Sequence, residues 1–181
     1  MMLRKLSAVR IAAPLALLLA LTLALCWAPA RAQVADTQIK AAFLVNFAKY
    51  AEWPAASFAT PGAPLKLCIV GRDPFGDTLR PVTVGGRPLS IERAVSDDAL
   101  KTCHIAFISE SEDRRLPRIL ALLRGEPVLT VSDIDGFAES GGMIELVLAD
   151  GRMRFDINLA AANASKFRLS SQLLKLARSV R

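Results

Sequence analysis

The chain has 181 residues, is 52% hydrophobic and carries a formal net charge of +6 at pH 7. Its first 32 residues hold four basic residues and no acidic one, so the remaining 149 residues carry a net charge of only +2. This small charge, with no block of consecutive basic residues and interleaved aromatics, gives no support to nucleic-acid binding. A segment of 149 residues is long enough for one domain with its own hydrophobic core.

Residues 1–32 have the three parts of a secretory signal peptide. Basic residues precede a 15-residue apolar run, residues 11–25, and Ala30-Arg31-Ala32 supplies the small residues that signal peptidase recognises. The run is shorter than the ~20 residues that a membrane-spanning helix needs, although a retained anchor is the alternative. We predict cleavage before Gln33, which leaves residues 33–181 as one exported domain that does not span the membrane.

The first predicted element of this domain is a helix that begins at Asp36 or Thr37 and ends near Glu52. Six of its residues fall on one side at helical spacing, and we expect this side to face the core: Ile39, Ala42, Phe43, Asn46, Tyr50 and Trp53. Asn46 lies in the middle of this stripe. Because a buried amide must find hydrogen-bond partners, Asn46 either ties the helix to a neighbouring loop or faces a pocket.

Strands and helices then alternate along the chain. In order, the patterns predict a strand at 65–70, a short helix at 75–79, a hairpin at 82–93 around Gly85-Gly86, a short helix from residue 96 or 97, a strand at 104–108, a helix from residue 109 or 111 to 124, a strand at 127–131 and a helical turn within 132–139. This alternation predicts a single three-layer α/β domain, with a mixed, mainly parallel sheet and helices on both faces. Ligands bind such sheets at the carboxyl ends of the strands, here in loops 71–74, 109–112 and 132–135.

The clearest hairpin pairs residues 143–149 with 152–159 across Asp150-Gly151, a dipeptide suited to a type I′ turn. One face buries three apolar pairs: Leu148 with Met153, Leu146 with Phe155, and Ile144 with Ile157. The other face carries Glu145, Arg152, Arg154 and Asp156, and we expect it to face solvent. Arg152, Arg154 and Glu145 form a candidate interaction surface. Glu145 and Asp156 would be directly opposed, which is unfavourable unless Arg154 neutralises Glu145.

Helical segments complete the domain. Asn158 is the expected cap of the first, which contains residues 160–167, and it is a candidate polar contact. A second segment starts at Ser170 or Ser171. Its predicted inner face is formed by Leu169, Leu173, Leu176, Ala177 and Val180.

Cleavage removes Cys26 and leaves Cys68 and Cys103, 35 residues apart. An even number of cysteines in an exported chain indicates a disulfide, which would stabilise the fold by about 3–4 kcal/mol in the chain-entropy model. Two buried free thiols are the alternative. Spacing alone does not place the two residues within bridging distance.

The residues that could act in catalysis lack the partner residues of known catalytic and metal-binding motifs. His104 is the chain's single histidine, and the sequence has no HExxH, CxxC, GxSxG or glycine-rich phosphate-binding motif. The pair Glu145 and Asp156 is the best acid–base or metal candidate, but alternating charges on the solvent face of a hairpin are seldom catalytic. We therefore predict a binding protein without cofactor or metal, not an enzyme; a hydrolase would require turnover that depends on His104 or Glu145.

Several short segments together resemble the YfiR-like family. They are residues 40–54 (KAAFLVNFAKYAEWP), 68–76 (CIVGRDPFG), 141–144 (GGMI), 154–158 (RFDIN) and 169–177 (LSSQLLKLA). They span almost the whole predicted exported domain in the family's order.

The resemblance implies a periplasmic regulator. Its best-known members repress a membrane diguanylate cyclase by contacting its periplasmic region, which lowers cyclic di-GMP and biofilm formation. The family is associated with homodimers and stabilising disulfides, and Cys68 and Cys103 would match one such pair. The second cysteine pair of some members is missing here. A sensor kinase is another expected partner. The alternative function is a periplasmic small-ligand-binding protein that feeds a sensor kinase or other receptor, with a pocket that includes Asn46 and the strand-end loops.

Overall fold

The computed structural model describes residues 28–181 of the chain, with side chains from residue 36 onward. Residues 1–27 of the predicted signal peptide lie outside the described residues. Residues Thr37–Arg181 form one compact unit. Within the described part of the chain, no helix has the length and apolar character needed to cross a membrane.

The described residues form four α-helices and ten strands. The helices are α1 (Ala28–Tyr50), α2 (Leu116–Leu123), α3 (Leu159–Ala164) and α4 (Ser171–Leu176). The strands are β1 (Ala51–Glu52), β2 (Leu65–Val70), β3 (Thr83–Val84), β4 (Arg87–Arg93), β5 (Ile105–Ile108), β6 (Leu129–Ser132), β7 (Ile144–Ala149), β8 (Arg152–Ile157), β9 (Arg168–Leu169) and β10 (Ser179–Val180). Short 3₁₀ segments lie at Ala55–Ser57, Gly76–Thr78, Asp97–Thr102 and Glu110–Arg115.

The main sheet has eight strands in the order β10-β8-β7-β6-β5-β2-β4-β3. The neighbours from β4 to β7 run parallel, while β3 and β8 pair antiparallel with β4 and β7. β1 and β9 form a separate two-stranded antiparallel sheet. The predicted mixed, mainly parallel sheet with a C-terminal hairpin is therefore confirmed.

Apolar side chains cover both faces of the sheet, as the three-layer prediction requires. On one face Phe47 of α1 packs edge-on against Phe155 of β8, with ring centroids 5.1 Å apart, and α3 and α4 contribute to the same cluster. On the other face Ile119 and Leu123 of α2 pack with Ile108 of β5. This division follows from strands that are apolar on both sides, because each side then needs its own helical cover.

The face that helix α1 buries overlaps only in part with the one that the sequence pattern predicted. Its buried residues are Ala41, Leu44, Phe47 and Ala48. Ile39 is 42% exposed, and Asn46 and Ala42 are exposed too. The prediction was wrong for these three residues, whereas Phe43, Tyr50 and Trp53 of the predicted stripe are half-buried against the core. The helix is apolar on nearly all sides between residues 39 and 48, so spacing alone selects no single face. The helix also begins at Ala28 and ends at Tyr50, since Ala51–Glu52 pairs with β9.

The C-terminal hairpin has the predicted register. Ile144 lies opposite Ile157, and Leu146 lies opposite Phe155. Asp150 and Gly151 have φ of 51° and 68°, as a type I′ turn requires.

The C-terminus departs from the predicted helix. α4 ends at Leu176, and Ser179–Val180 continues as a strand parallel to β8. Leu173 is buried as predicted, but Leu176 and Val180 are exposed. The predicted helical turn at 132–139 is instead a series of turns.

Candidate functional site

The carboxyl ends of β2 and β5 meet where ligands commonly bind in α/β sheets. Here the chain's own side chains occupy that position. Gly71 has φ +87°, and a Cβ added to it would lie 2.5 Å from Ser111 Oγ and 2.6 Å from Glu112 Cγ. The amide of Arg72 also donates to Ser111 Oγ at 2.9 Å. The predicted strand-end loops 71–74 and 109–112 are thus together, but they pack directly against each other.

An open groove lies instead between α1 and the segment before β3. We call it the α1 groove, and its volume is about 660 Å³. Its lining residues are Gln38, Ala41, Ala42, Val45, Asn46, Lys49, Asp77, Thr78, Leu79, Arg80 and Val82. Asn46 therefore lines a surface groove and is not buried in contact with a neighbouring loop, because the side of α1 that carries Asn46 faces outward.

The second wall of the α1 groove is held in place by local contacts. Asp73 Oδ1 accepts a hydrogen bond from the Phe75 amide at 2.7 Å, and Asp73 Oδ2 accepts one from Arg93 Nε at 2.6 Å. Partial burial of Asp73 opposes its charge, but these hydrogen bonds outweigh burial and lower its pKa. Phe75 then packs against Phe107 with centroids 4.8 Å apart, and Leu79 is buried. The wall is therefore anchored to the sheet at both ends.

The lining of the α1 groove mixes apolar and polar residues and has one more positive than negative charge. Lys49 and Arg80 are exposed and form no ion pair with the described residues, while Asp77 is the single carboxylate in the lining. Arg80 Nε donates to the carbonyl of Asp77 at 3.1 Å, which keeps this guanidinium beside the groove. Val82 in the lining is 41% exposed. Such a surface suits a partner that is apolar and negatively charged.

The candidate surface on the C-terminal hairpin is only partly exposed. Glu145 and Asp156 are directly opposed, as predicted, but they are only 7% and 1% exposed. Glu145 accepts from the amides of Gly136 and Ala138 at 3.0 and 2.9 Å. The expectation that Glu145 lies on the solvent face is wrong, because the turns that precede β7 cover it.

Asp156 is paired with the C-terminal tail. Arg178 Nε and Nη2 donate to its two carboxylate oxygens at 2.9 and 2.5 Å. These bonds, aided by the charge of Arg181, lower the pKa of Asp156 against the opposing effect of its burial. Arg154 does not serve as the neutralising group: Arg152 and Arg154 are exposed and form no ion pair with the described residues. Only these two residues of the predicted interaction surface face outward.

Asn158 is the N-cap of α3. Its Oδ1 accepts from the amide of Ala161 at 2.9 Å, and its Nδ2 donates to the carbonyl of Ala138 at 2.8 Å. Asn158 therefore joins α3 to the turns that cover Glu145, which is a structural role.

His104 is buried and fully engaged in hydrogen bonds. Its Nδ1 accepts from the amide of Lys66 at 3.0 Å, and its Nε2 lies 3.0 Å from the carbonyl of Ser57. These partners require the neutral tautomer with the proton on Nε2. The imidazole ring stacks on the ring of Phe58, and Arg87 Cζ lies 3.8 Å from the centroid of the Phe58 ring. Burial lowers the pKa of His104, so the structure assigns it a structural role.

Cys68 and Cys103 form the predicted disulfide, with Cα atoms 6.0 Å apart. Cys68 is on β2, and Cys103 lies two residues before β5, the strand paired with β2. Both are buried on the face covered by α2. Free thiols, the alternative, are therefore excluded by this pairing.

Two comparisons with known proteins complete the description. A family model described as YfiR/HmsC-like matches residues 37–178. Among solved structures, the chain is similar to a conserved domain protein from Vibrio cholerae O1 biovar El Tor strain N16961, at 10% identity and a TM-score of 0.46. The match covers 65% of this chain, and the chain spans 55% of that protein.

Proposed function

Because the chain belongs to the YfiR/HmsC-like family, which its residues 37–178 match, we propose that it is a periplasmic regulator of a membrane signalling protein. The proposed partner is a diguanylate cyclase, which the chain represses by binding the periplasmic region of the enzyme. Residues 1–32 would direct export and then be removed. The family match carries this proposal, because it spans nearly the whole predicted exported domain.

The environment of the titratable groups supports regulation over catalysis. His104 holds two backbone segments together through Nδ1 and Nε2. Glu145 and Asp156 are each occupied by structural hydrogen-bond donors. A general acid or base must reach the proton that it transfers, and these groups are committed to the fold.

We place partner docking in the α1 groove. The occupant that fits is a short apolar segment of the partner carrying an acidic side chain. Apolar residues on both walls would bury the segment, and Lys49 and Arg80 would bind its carboxylate. Ile39 lies one helical turn before Ala42 and is 42% exposed, so it extends the apolar surface. Repression then requires only that this contact be stronger in the inactive state of the cyclase.

The disulfide offers a route for a redox input. It joins β2 to the residues just before β5, and β2 and β5 are neighbouring interior strands of the eight-stranded sheet. Phe75, which anchors a wall of the α1 groove, packs on Phe107 of β5. Reduction would therefore loosen a strand that supports the groove and weaken partner binding.

A homodimer is a further part of the proposal, from the family likeness. Size-exclusion chromatography with light scattering tests it directly. A mass twice that of the exported chain is expected, and a monomer at micromolar concentration would contradict this part alone.

The docking proposal is tested by capture from membranes. The exported protein carrying Ala42→Glu is compared with one carrying Ala160→Glu; both alanines are exposed, but only Ala42 lines the α1 groove. Photo-crosslinking in the periplasm followed by mass spectrometry identifies the partner. We expect an inner-membrane protein with a periplasmic region and a cyclase output, captured by wild type and Ala160→Glu and lost with Ala42→Glu. Capture of a sensor kinase instead would support the alternative partner and contradict the cyclase.

A further inference from the structure

A second, smaller pocket lies near the amino ends of β6 and β7. Its volume is about 240 Å³. Its lining residues are Leu120, Leu123, Arg124, Gly125, Thr130, Ser140, Gly141, Met143, Ala161, Ala164 and Ser165. None of them lines the α1 groove, and we call this cavity the α3 pocket.

Two hydroxyl groups and one guanidinium supply side-chain hydrogen-bond donors to the α3 pocket. Thr130 is 2% exposed and its Oγ1 accepts from the amide of Met143 at 3.0 Å, so the hydroxyl hydrogen is free to donate. Ser165 is 3% exposed and also lines the pocket. Arg124 supplies a guanidinium that forms no ion pair with the described residues.

The other lining residues and the volume of the α3 pocket restrict the charge and the size of a ligand. Leu120, Leu123, Met143, Ala161 and Ala164 are apolar, and no aspartate or glutamate lines the pocket. A cationic ligand would therefore meet an uncompensated guanidinium, whereas an anion would be neutralised by it. The volume is below the ~300–1,000 Å³ typical of pockets for drug-sized ligands, so the ligand must be small.

We propose that the α3 pocket binds a small monocarboxylic acid with a short apolar tail. The carboxylate pairs with Arg124 and accepts from the hydroxyls of Thr130 and Ser165. The tail lies between α2 and α3 against the leucines and Met143. This site does not depend on the partner proposed above, because it shares no residue with the α1 groove.

The test uses the exported protein with its disulfide intact and hexanoate as the probe. Calorimetry should show saturable binding of hexanoate, and hexanamide, which matches it in size without the charge, should bind at least ~10-fold more weakly. Saturable binding with equal affinity for the two probes, or no binding across the series from butanoate to octanoate, would overturn the proposal.

Matched variants locate the site. Arg124→Gln should weaken hexanoate binding at least ~10-fold, whereas Arg114→Gln, an exposed arginine outside the pocket, should not. Ala164→Leu should block the pocket, and Ala160→Leu on the same helix should leave binding unchanged. Circular dichroism confirms folding of each variant. Unaltered binding in both Arg124→Gln and Ala164→Leu would place the ligand elsewhere and contradict the proposal.

Discussion

Asp156 and Glu145 lie directly opposite each other in the antiparallel pair of β8 and β7, yet their carboxylates have separate partners. Arg178 holds Asp156 through two hydrogen bonds, and the amides of Gly136 and Ala138 hold Glu145. The like-charge pair is thus tolerated because each charge is compensated from a different segment of the chain. Asp156 therefore joins the C-terminal tail to the hairpin, and Glu145 joins the turns before β7 to it.

Replacement of Arg178 by Gln should lower the free energy of unfolding near neutral pH, because the buried Asp156 loses both hydrogen bonds from Arg178 and keeps only the guanidinium of Arg181, 3.6 Å away. The folded-state pKa of Asp156 is depressed below the ordinary value of ~3.9, so the pair stabilises the fold above that pH and loses its effect as pH falls through the folded pKa. The difference between wild type and variant should therefore shrink below pH ~4.

Urea denaturation followed by circular dichroism at pH 7 and pH 3 measures this difference. Arg154→Gln is the control, since Arg154 is an exposed arginine on the same strand. An equal loss in the two variants at pH 7 would contradict the assigned role of Arg178.

Glu145→Gln keeps the shape of the side chain but replaces one acceptor by an NH₂ group. The amide of either Gly136 or Ala138 then faces a donor, and an unsatisfied buried polar group costs about 1–3 kcal/mol. Glu139→Gln, which alters an exposed carboxylate, should change stability by less than ~0.5 kcal/mol. The two free energies of unfolding from denaturation curves test the contrast, and a Glu145→Gln variant as stable as wild type would refute it.

His104 should make the stability of the domain depend on pH. Its folded-state pKa is lowered by burial, and the nearby charges of Lys66 and Arg87 act in the same direction. Because the pKa of His104 is lower in the folded chain than in the unfolded chain, the unfolded chain binds a proton more readily. The free energy of unfolding is therefore highest above pH ~6.5 and falls as the pH drops below that value. Protonation of Nδ1 would also break the hydrogen bond from Lys66.

Because His104 is the single histidine, the comparison with His104→Asn isolates its contribution. The variant should be less stable at pH 7.5 and should lose less stability than wild type between pH 7.5 and pH 5. Trp53 donates to the carbonyl of His104 at 3.0 Å and offers a fluorescence signal for unfolding. Parallel pH profiles for the two proteins would show that His104 does not titrate with unfolding.

The Cys68–Cys103 disulfide should stabilise the domain by about 3–4 kcal/mol, because it closes a loop with a sequence separation of 35. The double variant Cys68→Ala/Cys103→Ala should lose about that amount. Adding a reductant should destabilise wild type but not the double variant. Denaturation of both proteins with and without reductant measures the effect, and a reductant response of equal size in both would contradict it.

Much of the fold was predictable from sequence because its signals are local. The apolar strand around Cys68, the turn at Asp150-Gly151 and the opposition of Glu145 and Asp156 follow from alternation and turn chemistry. The disulfide followed from cysteine number and the export signal.

The candidate site was less predictable because it depends on which surfaces pack together. Asn46 was placed in the buried stripe of α1, but the all-round apolar character of that helix hid its true inner face. The burial of Glu145 depends on the turns between β6 and β7, which have no strand or helix periodicity of their own. The pairing of Asp156 with Arg178 joins residues 22 positions apart. Because the strand pattern reveals neither contact, the charged residues of β7 and β8 were predicted to face solvent.

The most direct test of the proposed regulatory function is the intracellular level of cyclic di-GMP. Deletion of the gene should raise it, and expression of wild type or Ala160→Glu should restore the low level. Ala42→Glu, present in equal amount in the periplasm, should fail to restore it because the substitution places a carboxylate in the α1 groove. An unchanged level after deletion would contradict repression of a diguanylate cyclase, and equal restoration by the two variants would contradict docking in the groove.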